Sequence, residues 1–444
     1  MKQKSGLIAA ALFFFQAGSL TAIRPALSFH IGGTGSCESC HVMHNAKDKD
    51  ALAGKKSKSL LLATDPSSVC LNCHAGPGGD NNSSVFSSDG SAMTPGGDFY
   101  WLTRTFTWAD GSSPGDRHGH NVIALDFDLT RDSRLVQSPG GSYSSAALSC
   151  TSCHDPHGGA RGGTQGGAPS ISVSGSYGEQ PASNTIRGNY RLLGDADYNG
   201  GEAADGFRFN YDAPVARQNV NIRFGESDTS HVDYGAGMSE WCANCHEGIL
   251  RNNHTGAGDF SHPVDSGATL GGDLSTMYNT YINTGELLAL GTGTGNSNTA
   301  YLQFVPFERG IINPEQLDPT SRKGTNTSSR VMCLTCHRAH ASAFKSSGRW
   351  DFDAVLLAES HPRSGDGGQS GNDVNHSYYG RNIPVEFGPE QGPFCEKCHG
   401  VSPEPLPEFV PGQMFEPVFD PLPPNPGLPR LPGSDPLLQN RVKP

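Results

Sequence analysis

The sequence predicts a fold of mostly coil and loops, with short helices and few short strands, wrapped around something other than its own side chains. Three observations predict it. Hydrophobic residues make up 35% of the 444 and charged residues 17%, while glycine reaches 57 and proline 31. Such a chain is either disordered or organised around a non-polypeptide core. All twelve cysteines fall in six Cys-x-x-Cys pairs, and a histidine directly follows each pair. The pairs recur at irregular intervals of 33, 80, 92, 91 and 62 residues, which excludes a solenoid of equal repeats.

The N-terminus reads as an export signal. MKQK supplies positive charge, Gly6 to Phe15 an apolar stretch, and Ala26-Leu27-Ser28 a small-x-small cleavage site. Residues 1–28 are therefore expected to be a signal peptide, with the mature chain starting at Phe29 and leaving the cell through the periplasm. No later segment has the length of a membrane span. The formal net charge is −12, and loss of Lys2, Lys4 and Arg24 makes the mature chain more acidic still. With no basic run, nucleic acid and anionic lipid are excluded as partners.

The six pairs are CESCH (Cys37, Cys40, His41), CLNCH (Cys70, Cys73, His74), CTSCH (Cys150, Cys153, His154), CANCH (Cys242, Cys245, His246), CLTCH (Cys333, Cys336, His337) and CEKCH (Cys395, Cys398, His399). This is the c-type haem attachment pattern. Two thiols add across the two vinyl groups of one haem, the two-residue spacer sets their separation, and the next histidine reaches the iron. Zinc knuckles, redox dithiols and disulfides also use paired cysteines, but none needs a histidine directly after the second. With only 17 histidines in the chain, six such placements do not arise by chance. The cofactors are therefore six covalently attached haem c groups. Each is a large apolar plate, which accounts for the missing apolar core.

Eleven histidines remain for the other face of six irons: His30, His44, His118, His120, His157, His231, His254, His262, His340, His361 and His376. Met43, Met238 and Met332 lie close to motifs and are rival ligands, although packing against haem edges is the simpler role for so adaptable a side chain. Three motifs share an extension: CESCHVMH, CTSCHDPH and CLTCHRAH place His44, His157 and His340 three residues after the proximal histidine. If those segments are helical, the two histidines share one face. The second then cannot reach the opposite side of its own iron, and serves a different haem.

Regular structure should be sparse. DFYWLTRTFTW, from Asp98 to Trp108, is the best strand signal, and Asn121 to Leu129 could pair with it. Helix is expected at the haem motifs and from Leu274 to Leu290. From Val401 onward there are 13 prolines in 44 residues, interleaved with apolar side chains. This favours an extended tail, either docked or solvated. The expected organisation is residues 1–28 signal peptide, 29–399 hexahaem domain and 400–444 Pro-rich extension.

From Phe29 to His399 the chain resembles the six-haem extracellular c-type cytochromes that polymerise into conductive nanowires in metal-reducing bacteria. The resemblance rests on FHIGG at Phe29, CESCHVMHN, MTPGGDF at Met93, GHN at Gly119, SCTSCHDPHG at Ser149, YGAGMSEWCANCH at Tyr234, CLTCHRAHASAF at Cys333 and YYGR at Tyr378. It implies two histidine ligands for every iron, with His30, His44, His120, His157, His262 and His340 as the distal set. It also implies that His44 leaves its own subunit and ligates the haem of Cys333 and Cys336 in the next one. On the same basis His118, His231, His254, His361 and His376 are surface or propionate-side residues. The tail and the loops from Gly158 to Ser230 fall outside the shared pattern.

The function expected is extracellular electron transfer by a head-to-tail homopolymer, with other multihaem cytochromes, metal oxides or electrodes as external partners and no enzymatic step. Two other readings use the same motifs: a multihaem reductase of a small molecule, which needs an iron with an open position, and a monomeric periplasmic carrier.

Overall fold

Helix α1 (Pro66–His74) starts where Asp65, in extended conformation, accepts the amide of Ser68 at 2.9 Å and proline occupies the first turn. It stops at the histidine of its own motif, because Ala75 returns to extended backbone. That economy is typical of the computed structural model, which describes residues 37–42, 60–76, 84–156, 192–201, 206–219, 225–250, 263–280, 295–354, 356–387 and 397–398. After α1 come β1 (Phe106–Trp108), β2 (Gly111–Ser113), β3 (Val215–Gln218), β4 (Val232–Ala236), α2 (Met238–Leu250), α3 (Gly271–Thr280), α4 (Cys333–Cys336), α5 (Asp373–Ser377) and α6 (Ile383–Phe387). Short 3-10 turns fill much of the rest. The expected class of coil, short helices and few short strands describes these residues well. The signal segment and the Pro-rich extension lie outside them.

Among the described residues the strands pair in two antiparallel ribbons, β1 with β2 and β3 with β4. The long strand expected from Asp98 to Trp108 is not formed; only Phe106–Trp108 is extended, and Phe99–Thr103 is a 3-10 turn. The cause is Asp98. Its buried carboxylate accepts the amides of Ser87 (3.0 Å), Ala92 (3.0 Å) and Tyr100 (2.9 Å), drawing the chain into a tight turn that overrides the β preference of the aromatic run. Nor does Asn121–Leu129 pair with this segment. It turns at Leu125–Phe127, where the Leu125 amide meets Asp65 at 2.8 Å and the Asp126 amide meets Ser68 at 3.2 Å. The segment serves the N-terminus of α1. The helix expected from Leu274 begins three residues earlier, at Gly271, and is described through Thr280.

Apolar packing forms two clusters. One is built on Trp101, Phe106, Tyr278, Phe304, Phe344 and Trp350, the other on Ala216, Val232, Tyr234, Met238, Met332 and Leu334. Met238 and Met332 are thus core residues, as packing required. Between the clusters the chain is fastened by loops. The Gly119–Ala341 bridge and the bond from the His120 amide to the His340 carbonyl (2.9 Å) run GHN alongside the segment after the fifth motif.

Candidate haem-binding sites

The attachment motifs take two local forms. In the second and fourth the cysteines lie on α1 and α2, and His246 sits at a kink within α2 with φ −123° and ψ 39°. In the first, third and fifth the cysteines lie on single turns, Cys37–Ser39, Cys150–Ser152 and α4. Their histidines then leave in bridges: His41 with Leu61, His154 with Leu193 and His337 with Gly348. His337 is fully extended, with φ −112° and ψ 162°. The helical relation expected between His337 and His340 is therefore absent. The Arg338 amide is taken by Ser347 at 2.7 Å, which pulls the backbone out of helix after Cys336. Of the sixth motif only Lys397 and Cys398 are described, with Lys397 buried and its ammonium on the Tyr278 carbonyl at 3.0 Å.

Two of the expected distal histidines lie among the described residues, and each faces a proximal one. The His154 and His340 rings stand 6.3 Å apart between centres, and the His120 and His246 rings 6.0 Å apart. Two imidazoles bound to one metal at about 2 Å on either side place their ring centres roughly 6 Å apart. Both spacings therefore suit a shared iron. The Gly119–Ala341 bridge sets His120 and His340 side by side on paired segments, each beside the histidine of a different motif. Gly96, in PGG, allows the approach to His340: a Cβ there would fall 2.9 Å from its Nδ1. Phe99 stacks on the same ring at 4.8 Å.

The outer nitrogens are held in the manner of metal ligands. The Nδ1 atoms of His120, His246 and His337 each lie 2.8 Å from a backbone carbonyl, of Ala339, Pro139 and Ser346 respectively. This fixes the tautomer and leaves Nε2 as the nitrogen with a free lone pair. Burial lowers the pKa of all three, that of His246 to about 4, which favours the neutral imidazole, the form able to ligate iron. His120 is exposed, and Cys150, Cys153, Cys242 and Cys245 are each only partly covered, so these thiols are not sealed in the interior. Among the described residues, no three His, Cys, Asp or Glu side chains converge to hold a bare metal ion.

The surplus histidines divide. His118 and His231 are fully buried, not at the surface. His118 is clamped between the Trp101 carbonyl (2.9 Å) and Ser113 Oγ (2.7 Å), and His231 stacks on Tyr301 at 3.9 Å. His361 lies against Trp108 at 3.8 Å and bonds Asp366 at 2.7 Å, while His376 Nδ1 meets the Asp89 carbonyl at 2.8 Å. His30, His44, His157, His254, His262, His399, Met43 and Cys395 lie outside the described residues. Sequence reasoning missed Gly96 and the carbonyls of Pro139, Ala339 and Ser346. A backbone acceptor leaves no residue-type signal, but the glycine pair in PGG was visible.

Thiol pairs with an adjoining histidine, two of them with a second imidazole close by, are the marks of a multihaem c-type cytochrome. No protein-family model matches the chain. It is 35% identical over 442 residues to the C-type cytochrome OmcS of Geobacter sulfurreducens, covering 90% of this chain and 98% of that protein. Two solved structures are similar. The Outer Membrane Cytochrome S filament from Geobacter sulfurreducens superposes with a TM-score of 0.65 at 33% identity, over 83% of this chain and 98% of that one. The OmcS nanowires from the same organism superpose with a TM-score of 0.66 at 32% identity, over the same shares. The chain belongs to the OmcS family of c-type cytochromes.

Proposed function

We propose that this protein carries electrons outside the cell along a line of six covalently attached haems, as the subunit of a head-to-tail filament. The opposed rings of His154 and His340 at 6.3 Å, and of His120 and His246 at 6.0 Å, carry this reading. In this reading His154 and His340 share the iron of the third motif, and His246 and His120 that of the fourth. Each haem supplies an iron that changes oxidation state by one electron without making or breaking a bond. The protein's part would be to offer each iron two neutral imidazoles, which would leave no position open for a substrate. That favours conduction over reduction of a small molecule.

The OmcS relatives are filaments, which supports polymerisation here. His30, His44, His157 and His262 complete the distal set in this reading, with His44 donated to the fifth haem of the neighbouring subunit. A heterologous contact that does not close extends without limit. Residues 1–28 direct export through the periplasm, 29–399 bear the haems, and 400–444 form the extension. Terminal partners are other multihaem cytochromes, metal oxides or electrodes, met at exposed haem edges. Among the described residues no helix is long and apolar enough to cross a membrane.

A haemochrome assay together with electron paramagnetic resonance of secreted material tests the reading. Six haems per chain, all low-spin and indifferent to cyanide and nitrite, are expected. A high-spin haem that binds nitrite in the assembled protein would instead support the reductase, and isolated monomers by electron microscopy would support the soluble carrier.

A further inference from the structure

The second and fourth motifs share more than Cys-x-x-Cys-His. They read SSVCLNCH and SEWCANCH, with Ser67 and Ser239 each three residues before the first cysteine. Neither hydroxyl caps its own helix. Ser67 Oγ accepts the amide of Cys150 at 3.0 Å, and Ser239 Oγ accepts the amide of Cys333 at 3.1 Å. Both serines are buried, 0% and 1% exposed, so these bonds do not compete with water.

The receiving motifs are also built alike. The amide before the first cysteine is taken by a hydroxyl inside the motif, from Ser149 to Ser152 at 2.9 Å and from Met332 to Thr335 at 3.0 Å. Across each junction the two motifs pack directly on one another, α1 against the Cys150–Ser152 turn and α2 against α4. The same joint thus occurs twice, between motifs 83 and 94 residues apart at the serine bond. One serine–amide bond would be incidental packing; a matched pair at the same motif position is a built feature.

We propose that Ser67 and Ser239 are positioning residues, each latching the next motif at its first cysteine so that the haems of the two motifs stay in register as an electron route. An electron lost at one motif is gained at the next, with no bond made or broken. The sixth motif has Gly392 at the corresponding place and so has no hydroxyl to offer. The latch therefore belongs to junctions inside one chain. This inference rests on the haem reading above and adds how neighbouring sites are kept in register.

The test uses full-length secreted protein carrying Ser67→Ala, Ser239→Ala or both, with Ser68→Ala as control. Ser68 is equally buried on the same helix, but its hydroxyl bonds Asp65 at 2.7 Å and the Asp126 amide at 3.2 Å within its own neighbourhood. Haem count, Soret circular dichroism and interhaem electron-transfer rate after photoreduction are measured. Each latch variant should keep six low-spin haems, lose part of the interhaem Soret couplet and slow transfer. The two losses should add in the double variant. Ser68→Ala should lower thermal stability and leave the couplet unchanged.

An unchanged couplet and rate in the double variant overturn the latch alone. So does loss of haem from the latch variants, since attachment depends on the cysteines and histidine. Wild-type protein without haem at these motifs overturns the haem reading and the latch with it.

Discussion

The rings of His154 and His340 face each other across 6.3 Å, although the two residues belong to different attachment motifs. His340 follows His337 by three residues, yet its ring is turned to the third motif. The chain after Cys336 is extended and held by the Gly119–Ala341 bridge. A histidine surplus to its own motif thus lies against the histidine of another.

Replacing it should break one site only. His340→Ala is expected to turn one of six haems from low-spin to high-spin, and His120→Ala a different one, with six haems still attached in each. Electron paramagnetic resonance reads the spin change, and exogenous imidazole should reverse it. If both variants stay fully low-spin, the assignments of His340 and His120 are wrong.

The fifth motif is anchored by a buried charge cluster. Glu226 bonds Arg349 at 3.3 Å and lies 3.5 Å from Arg338, all three side chains being almost wholly excluded from water. Burial alone would raise the carboxyl pKa, but the two guanidinium groups outweigh it and hold it below the usual range. Arg349 also donates Nε to the Leu334 carbonyl and its amide to Cys336, each at 2.7 Å. Glu226→Gln leaves two buried cations facing each other, and removing one partner of such a cluster costs about 3–5 kcal/mol. Denaturant unfolding should show that loss, with protease cleavage appearing first near the fifth motif. A change below about 1 kcal/mol, the range of surface ion pairs, would rule out this anchoring role.

Much of this site was legible in the sequence because covalent attachment has a fixed spelling. Cys-x-x-Cys-His named a candidate proximal histidine for each motif, and repetition singled out His340. What misled was local propensity. Asp98 to Trp108 has the residues of a strand, but Asp98 gathers three amides and bends it. His337 to His340 fits helix spacing, but a bridge to Gly348 extends it. His118 and His231 resembled surface residues because burial of a neutral imidazole leaves no mark on the sequence. In a chain with so little regular structure, long-range hydrogen bonds decide conformation, and these do not follow from the order of residue types.

Glu308 predicts a pH effect on stability. It is 2% exposed, and burial outweighs its bond from the Met238 amide (2.6 Å) to push the pKa up from the ordinary 4.5 to about 7. A carboxyl raised on folding contributes stability that is fully present below its unfolded pKa and is lost as pH rises through the folded one. Stability should therefore decline between roughly pH 4.5 and 7 and level off above, by on the order of 3 kcal/mol at about 1.4 kcal/mol per unit. Glu308→Gln keeps an acceptor for Met238 and cannot ionise. It should unfold at a higher temperature than wild type at pH 8 and show no advantage at pH 4. Parallel curves for the two proteins would exclude Glu308 as the source.

His44 offers the test that separates a wire from a collection of haem proteins. The sequence places it three residues after His41, as His340 follows His337. The His340 ring faces a haem site other than its own motif's, and its relation to His154 shows that such a histidine can reach another motif. If His44 reaches the fifth haem of the next subunit, its removal must cost polymerisation and a ligand together. His44→Ala should secrete as monomers carrying six haems, of which one is high-spin and binds added imidazole. Imidazole should restore the low-spin spectrum without restoring filaments, because a free ligand fills the iron but joins no subunits. Filaments with every haem low-spin in the variant would place the inter-subunit bond elsewhere, and monomers with every haem low-spin would show that His44 holds the contact without touching iron.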